Sequence, residues 1–350
     1  MKATFISTQA ITEATRLSAM KLQAKVAEAQ KEVTTGRFTD VGMNLGYRTG
    51  ETVSLRLEYT RLSNIVDANA LVAGRLEATQ ATLTGVVGNA QGFISTLIAA
   101  RSSSDQGPQI VTSEGQAGLK FLTEALNTSF GGAHLFAGIN ADVKPVSDYF
   151  SEPMSAARQA VADAFEAQFG FSQSDPQAKD IPAADMQAFM ENAFADLFEG
   201  DDWTTNWSAA SDQNVRSRIS TYELIETSTN SNDMAFRKLA SAYVMAFDLG
   251  AGNLNEATFK AVMDQAVKVT GEALGELAKV QANLGTAQQR VADANDRMSI
   301  QMNLMSTHIN ALESVDPYEA ATRVNSLMTQ IETAYALTAR IQKLSLLNYL

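Results

Sequence analysis

The sequence predicts a mainly α protein: a long antiparallel helical coiled-coil rod built from both chain ends, carrying a smaller α+β insert domain. Three observations support this. Apolar residues recur in alternating steps of four and three over residues 55–97, and in steps of three and four again over 259–312, the spacing of a helix seam that needs a partner helix. Residues 316–350 hold 18 apolar side chains among 35 and no glycine, more than a solvated helix can leave uncovered. Residues 140–213 differ from both, with 14 acids against three bases, most of the prolines and both tryptophans.

The elements follow in order. Ala10, Ala14, Leu17, Leu22, Val26, Ala29 and Val33 trace an opening helix, with Thr4 or Ser7 as its cap and Gly36 as its C-terminal stop. Residues 37–50, with Gly42, Gly46 and Gly50, read as an irregular connector. No Gly-Lys-Ser/Thr run makes it a phosphate loop. The first long seam then runs Leu55, Tyr59, Leu62, Val66, Asn69, Ala73, Leu76, Gln80, Leu83, Val87, Ala90, Ile94, Leu97. Asn69 and Gln80 sit within it, where polar residues set register against a partner. Residues 101–108 read as a loop, with a shorter helix from Ser113 that Gly131 and Gly132 break, then a short strand and turn over 133–139. Within the insert, helical spacing marks 154–169 and 185–198, and alternation over 215–227 marks strand.

After Asp233 a helix ends at Gly250, and the second seam begins: Phe259, Val262, Ala266, Val269, Ala273, Leu277, Val280, Leu284, Ala287, Val291, Ala294, Met298, Met302, Met305, Ile309, Leu312. Two successive four-residue steps about Met298 interrupt the heptad and locally unwind a supercoil. Asp316 as N-cap, Pro317 at the first helical position and Glu319 behind it start the last helix.

Composition narrows the function. The 350-residue chain has net charge −12 and no cysteine, which removes disulfides, thiol catalysis and thiolate metal sites. No basic stripe is present to neutralise phosphates, so nucleic acid is not an expected partner. No apolar run suggests a membrane span, and the first residues lack the continuous apolar stretch of a signal peptide. The two histidines, His134 and His308, lie far apart and form no metal set. Gly250-Ala-Gly252 lacks the rest of a dinucleotide fingerprint. An enzyme in the acidic insert would be motivated by Trp203, Trp207 and nearby carboxylates alone. No catalytic residue, cofactor or metal is therefore expected.

The terminus Leu344-Ser-Leu-Leu-Asn-Tyr-Leu350, preceded by Ala336-Leu-Thr-Ala-Arg-Ile-Gln342, resembles the C-terminus of the flagellin superfamily. Glu32-Val-Thr-Thr-Gly-Arg-Phe38 resembles the end of that superfamily's first helix. His134-Leu-Phe-Ala-Gly138 is similar to a segment of its hook-associated protein 3 branch, the hook–filament junction proteins. The resemblance covers roughly residues 1–138 and 255–350. It implies a non-enzymatic, extracellular axial subunit of the bacterial flagellum, exported by the type III route without a cleaved signal peptide. Implied partners are further copies in a ring, flagellin, the hook-side junction protein (hook-associated protein 1), and an export chaperone with its apparatus. A small flagellin that forms the filament itself is the alternative.

The expected organisation is 1–50 with 316–350 as terminal assembly helices, 51–138 with 231–315 as the rod, and 139–230 as an acidic outer insert. The expected assembly interface comprises Leu17, Leu22, Val26, Leu337, Ile341, Leu344, Leu346, Leu347 and Leu350. The expected rod seam comprises Leu55, Tyr59, Leu62, Val66, Leu76, Leu83, Leu284, Val291, Met298 and Ile309.

Overall fold

A computed structural model describes residues 8–101 and 106–347. In chain order the elements are α1 (Thr8–Thr35), α2 (Val41–Leu45), α3 (Thr49–Ala100), α4 (Gly107–Leu126), β1 (Ser129–Phe130), β2 (Ala133–His134), α5 (Ala156–Phe169), α6 (Ala183–Glu191) and α7 (Ala193–Glu199). Then come β3 (Arg216–Arg218), β4 (Leu224–Glu226), α8 (Met234–Asp248), α9 (Glu256–Glu313) and α10 (Pro317–Leu347). The protein is mainly α, with two small two-stranded antiparallel sheets, β1–β2 and β3–β4. Two compact units are present, Met1–Ser63 with Met298–Leu350, and Asn64–Arg297. The division falls within α9 at Met298, one of the two places, with Ala273, where the seam takes successive four-residue steps.

In the unit of residues 64–297, α3 and α9 run antiparallel. Asn69 donates to Asn295 Oδ1 at 2.7 Å, Gln80 to the Gln281 carbonyl at 2.7 Å, and Arg101 pairs with Asp264 at 2.8 Å. Asn69 and Gln80 thus carry bonds across the seam, the use that polar seam residues have in setting register. The seam departs from the expected phase over its second half. Thr79, Val86 and Phe93 are buried, while Gln80, Val87 and Ile94 are half-buried. The reason is a third layer. Helices α4 and α8 pack against each other, and the Tyr243 ring lies 4.7 Å from Phe93, turning that side of α3 inward. Gly115 and Gly118 permit the close approach of α4 and α8: a Cβ at Gly118 would meet Tyr243 Cε1 at 2.4 Å, and one at Gly115 the Tyr243 carbonyl at 2.8 Å.

The acidic segment folds around aromatic rings. Trp203 and Trp207 stack at 5.2 Å, Tyr149 stacks on Trp207 at 5.1 Å, and Phe165, Phe189, Phe194 and Phe198 continue the cluster. Both tryptophans are buried, and Trp203 Nε1 donates to Asn232 Oδ1 at 3.1 Å. They are core residues, not the walls of a cleft.

Four local expectations change. The 37–50 connector is ordered as α2, which Asp40 caps by accepting from the Met43 amide at 2.8 Å, followed by a 3₁₀ turn over Gly46–Arg48. Pro108 opens α4 instead of lying in a loop, as its missing N–H permits in a first turn. The helical stretch at 185–198 is two helices broken at Asn192. Glu319 pairs with Arg323 at 2.9 Å and does not close a capping box, whereas Asp316 accepts from the Tyr318 amide at 2.8 Å. One 18-residue stretch within Val41–Ala100 is apolar enough, by length and composition alone, to cross a membrane. Leu76, Leu83, Val86, Ala90, Phe93 and Leu97 on that helix are already buried in protein.

Candidate assembly surface

The unit of residues 1–63 and 298–350 is built around one helix pair. Helices α1 and α10 pack along their length. Gln23 Nε2 donates to Tyr335 Oη, and Arg323 pairs with Glu32 at 3.1 Å, so the two helices are antiparallel. Ala19 and Ala29 on α1 are buried, with Leu22 and Val26 half-buried between them. On α10 the half-buried positions Val324, Leu327, Ile331, Ala334 and Thr338 continue from buried Ala320 in steps of four and three. This is a heptad seam.

The base of the pair is tied to the rest of the unit through two turns. Gly36, at φ +69°, ends α1, and its carbonyl accepts from the Val315 amide at 3.0 Å. The Phe38 amide donates to the Glu313 carbonyl at 3.0 Å. The Glu313 side chain, 1 % exposed, accepts a bidentate pair of bonds from Arg56, the first from Nε at 2.8 Å and the second from Nη2. Arg37 Nη1 stands 3.7 Å from the same carboxylate, and Arg37 Nη2 donates to Asn310 Oδ1 at 2.6 Å. The Arg56 hydrogen bonds hold the Glu313 carboxyl below the usual carboxylate range, against the opposing effect of burial, with the Arg56 and Arg37 charges adding. The same bond raises Arg56. Glu32, also buried, accepts from the Thr39 amide at 3.2 Å and from Arg323. Two buried carboxylates thus lock the turn after α1 to the turn between α9 and α10. The sequence reading missed this node. Its legible signal was a glutamate at Ile309 plus four, on the buried stripe of α9, where a charge must be paired.

A two-helix layer buries one stripe of each helix and leaves the rest exposed. Leu17 is 48 % exposed, Met20 54 %, Met328 46 %, Tyr335 50 % and Leu337 52 %. On α2 and its turn Met43 and Tyr47 stand almost fully exposed. Among the expected interface residues, then, Leu22 and Val26 lie in the α1–α10 seam, while Leu17 and Leu337 face outward. Leu350 lies outside the described residues, as do the side chains of Ile341, Leu344, Leu346 and Leu347. Of the expected rod positions, Leu62, Leu76, Leu83, Leu284, Val291, Met298 and Ile309 are buried, Leu55 and Val66 half-buried, and Tyr59 39 % exposed. His134 Nδ1 lies 3.0 Å from the Asn127 carbonyl, at the end of α4. No group of three His, Asp or Glu that could hold a metal ion is found among the described residues.

These outward apolar faces lie at the two chain ends, and both ends match known families. Residues 6–141 match the bacterial flagellin N-terminal helical region, and residues 267–350 match the bacterial flagellin C-terminal helical region. The chain belongs to the flagellin family. No curated protein sequence matches it. Flagellins are structural, non-enzymatic proteins that self-polymerise in the extracellular flagellum, so this chain is a structural flagellar subunit. Apolar area removed from water contributes about 25 cal/mol per Å², and further subunits can cover what one two-helix layer cannot.

Proposed function

We propose that this flagellin-family chain is the axial subunit that joins the hook end to the filament. Copies pack through α1 and α10 into a ring, with flagellin on one side and the hook-side junction protein on the other. The outward apolar face of the α1–α10 pair carries this reading, because a free protomer would hold large aliphatic side chains in water on both helices. The Leu135-Phe-Ala-Gly138 segment supports the junction over the filament. Its first three residues are buried, and Gly138, at φ +62°, leaves no room for a Cβ, which would lie 2.4 Å from the Ser211 carbonyl. In this reading the chain is exported before assembly, and a chaperone covers its terminal helices until then.

Antibody labelling of isolated flagella tests the proposal. Signal confined to the hook–filament boundary is expected, and signal along the filament would replace the reading with that of a small flagellin. Deleting residues 344–350 should leave a folded protein that no longer incorporates. Normal incorporation of that variant would refute packing through the terminal helix.

A further inference from the structure

We propose that the outward face of the β3–β4 hairpin docks a second copy of this chain, against the acidic surface formed by that copy's residues 140–213. The proposal rests on the assembly reading and adds to it a contact outside the terminal helices.

The pairing register places Arg216 opposite Glu226 and Arg218 opposite Leu224. Side chains alternate across a strand, so these four share one face, and all four are exposed. Ser217 and Ile225 take the other face, half-buried and buried. Tyr222, at the tip, is 96 % exposed. The hairpin is held rigidly from behind. Asn69 donates to the Ile219 carbonyl at 2.8 Å, Glu223 accepts from Arg290 at 2.9 Å and Arg297 at 3.3 Å, and the Ser217 and Thr227 hydroxyls bond at 2.7 Å. These bonds hold the hairpin, which presents an aromatic ring, a leucine and two guanidinium groups outward. Tyrosine and arginine are the side chains that concentrate binding energy at interfaces, and a rigid platform loses little entropy on docking.

Charge identifies the occupant. Neither Arg216 nor Arg218 forms an ion pair among the described residues, and both are exposed on the outward face of the hairpin, while Lys144 and Lys179, which are also exposed and unpaired, lie within the acidic segment itself. Arg218 bonds only the Thr221 carbonyl, at 3.1 Å. Residues 140–213 carry 14 acids against three bases. Asp163, Asp185, Asp196, Glu199, Asp201 and Asp202 are exposed and have no ion pair among the described residues. A nucleic acid would be repelled by that surface, whereas a second copy supplies it. Because a basic patch meets a different, acidic patch, the contact is heterologous and repeats around a ring or along a helix.

The chain has no cysteine, so introduced thiols are unique. The test combines Tyr222→Cys in turn with Asp163→Cys, Asp185→Cys and Asp202→Cys in cells that make the full-length chain. Flagella are sheared off, oxidised and run on non-reducing gels. At least one pair should give a ladder extending beyond dimers, absent from the single Tyr222→Cys variant. Only monomers in all three, from flagella that contain the protein by immunoblot, would overturn the docking proposal and leave the assembly reading standing. Absence of the unmodified protein from flagella would overturn both. Arg216→Glu with Arg218→Glu should lower incorporation at least tenfold while the circular dichroism spectrum is unchanged, and undiminished incorporation would count against the hairpin.

Discussion

Replacing Glu313 by glutamine preserves shape and the backbone bonds at the turn but removes the charge that receives Arg56 and Arg37. Hydrogen bonds to charged groups contribute about 1.5–3 kcal/mol each when well shielded. Here the carboxylate is buried but the two arginines are about half exposed, which weakens the pairs by solvent screening. Glutamine also keeps one acceptor for Arg56. A loss of about 1–2 kcal/mol is expected for opening this node. The amides of Phe38 and Val315 report it directly, since both donate across the two turns. At 1.4 kcal/mol per factor of ten, their hydrogen exchange should accelerate about 5- to 30-fold in Glu313→Gln, with exchange in α8 unchanged. The same loss should occur in the unsubstituted protein on acidification. The folded carboxyl titrates below its unfolded value of about 4.3, so its contribution is complete above that value and disappears as pH falls through the folded one. Protection at Phe38 and Val315 in Glu313→Gln should then converge with that of the parent at low pH, after correction for intrinsic exchange. Equal protection in the two proteins at neutral pH would refute the reasoning.

The remaining predictions test packing and the exposed face. Gly118→Ala puts a methyl group within 2.4 Å of the buried Tyr243 ring. The overpacking cost of about 1–3 kcal/mol exceeds the helix-propensity gain of about 1 kcal/mol, so urea melts should show destabilisation. Gly92→Ala meets nothing within 4 Å, and should instead stabilise by about 0.5–1 kcal/mol; the same sign for both would sink the argument. Leu83→Ala, at a position with no exposure, should cost about 2–5 kcal/mol in the same assay. Leu17→Ser with Leu337→Ser, at two outward positions, should leave the melting profile nearly unchanged while reducing incorporation into flagella, and unchanged incorporation would contradict the assigned face.

Much of the architecture could be read because it is local. Gly36 ends α1 and Asp316 with Pro317 starts α10 through backbone geometry and caps that involve only neighbouring residues. The rod seams were legible because a repeat of three and four has one helical meaning over dozens of residues. The connector at 37–50 was misread for the same reason in reverse: its three glycines argue for irregularity, but the Asp40 cap is enough to start a helix turn.

Sequence alone determined the class of this protein and its two long helices with their ends, since these follow from periodicity, capping and composition. Tertiary structure decided which side of α3 counts as buried beyond Leu76, because α4 and α8 cover Phe93 where a bare two-helix seam would take Ile94. It also separated Leu22 and Val26, which face α10, from Leu17, which faces outward. Only the folded chain brings Arg56 to Glu313, 257 residues away. A periodic pattern states that a face is buried; what covers it, and which charges meet there, depends on segments that no local spacing connects.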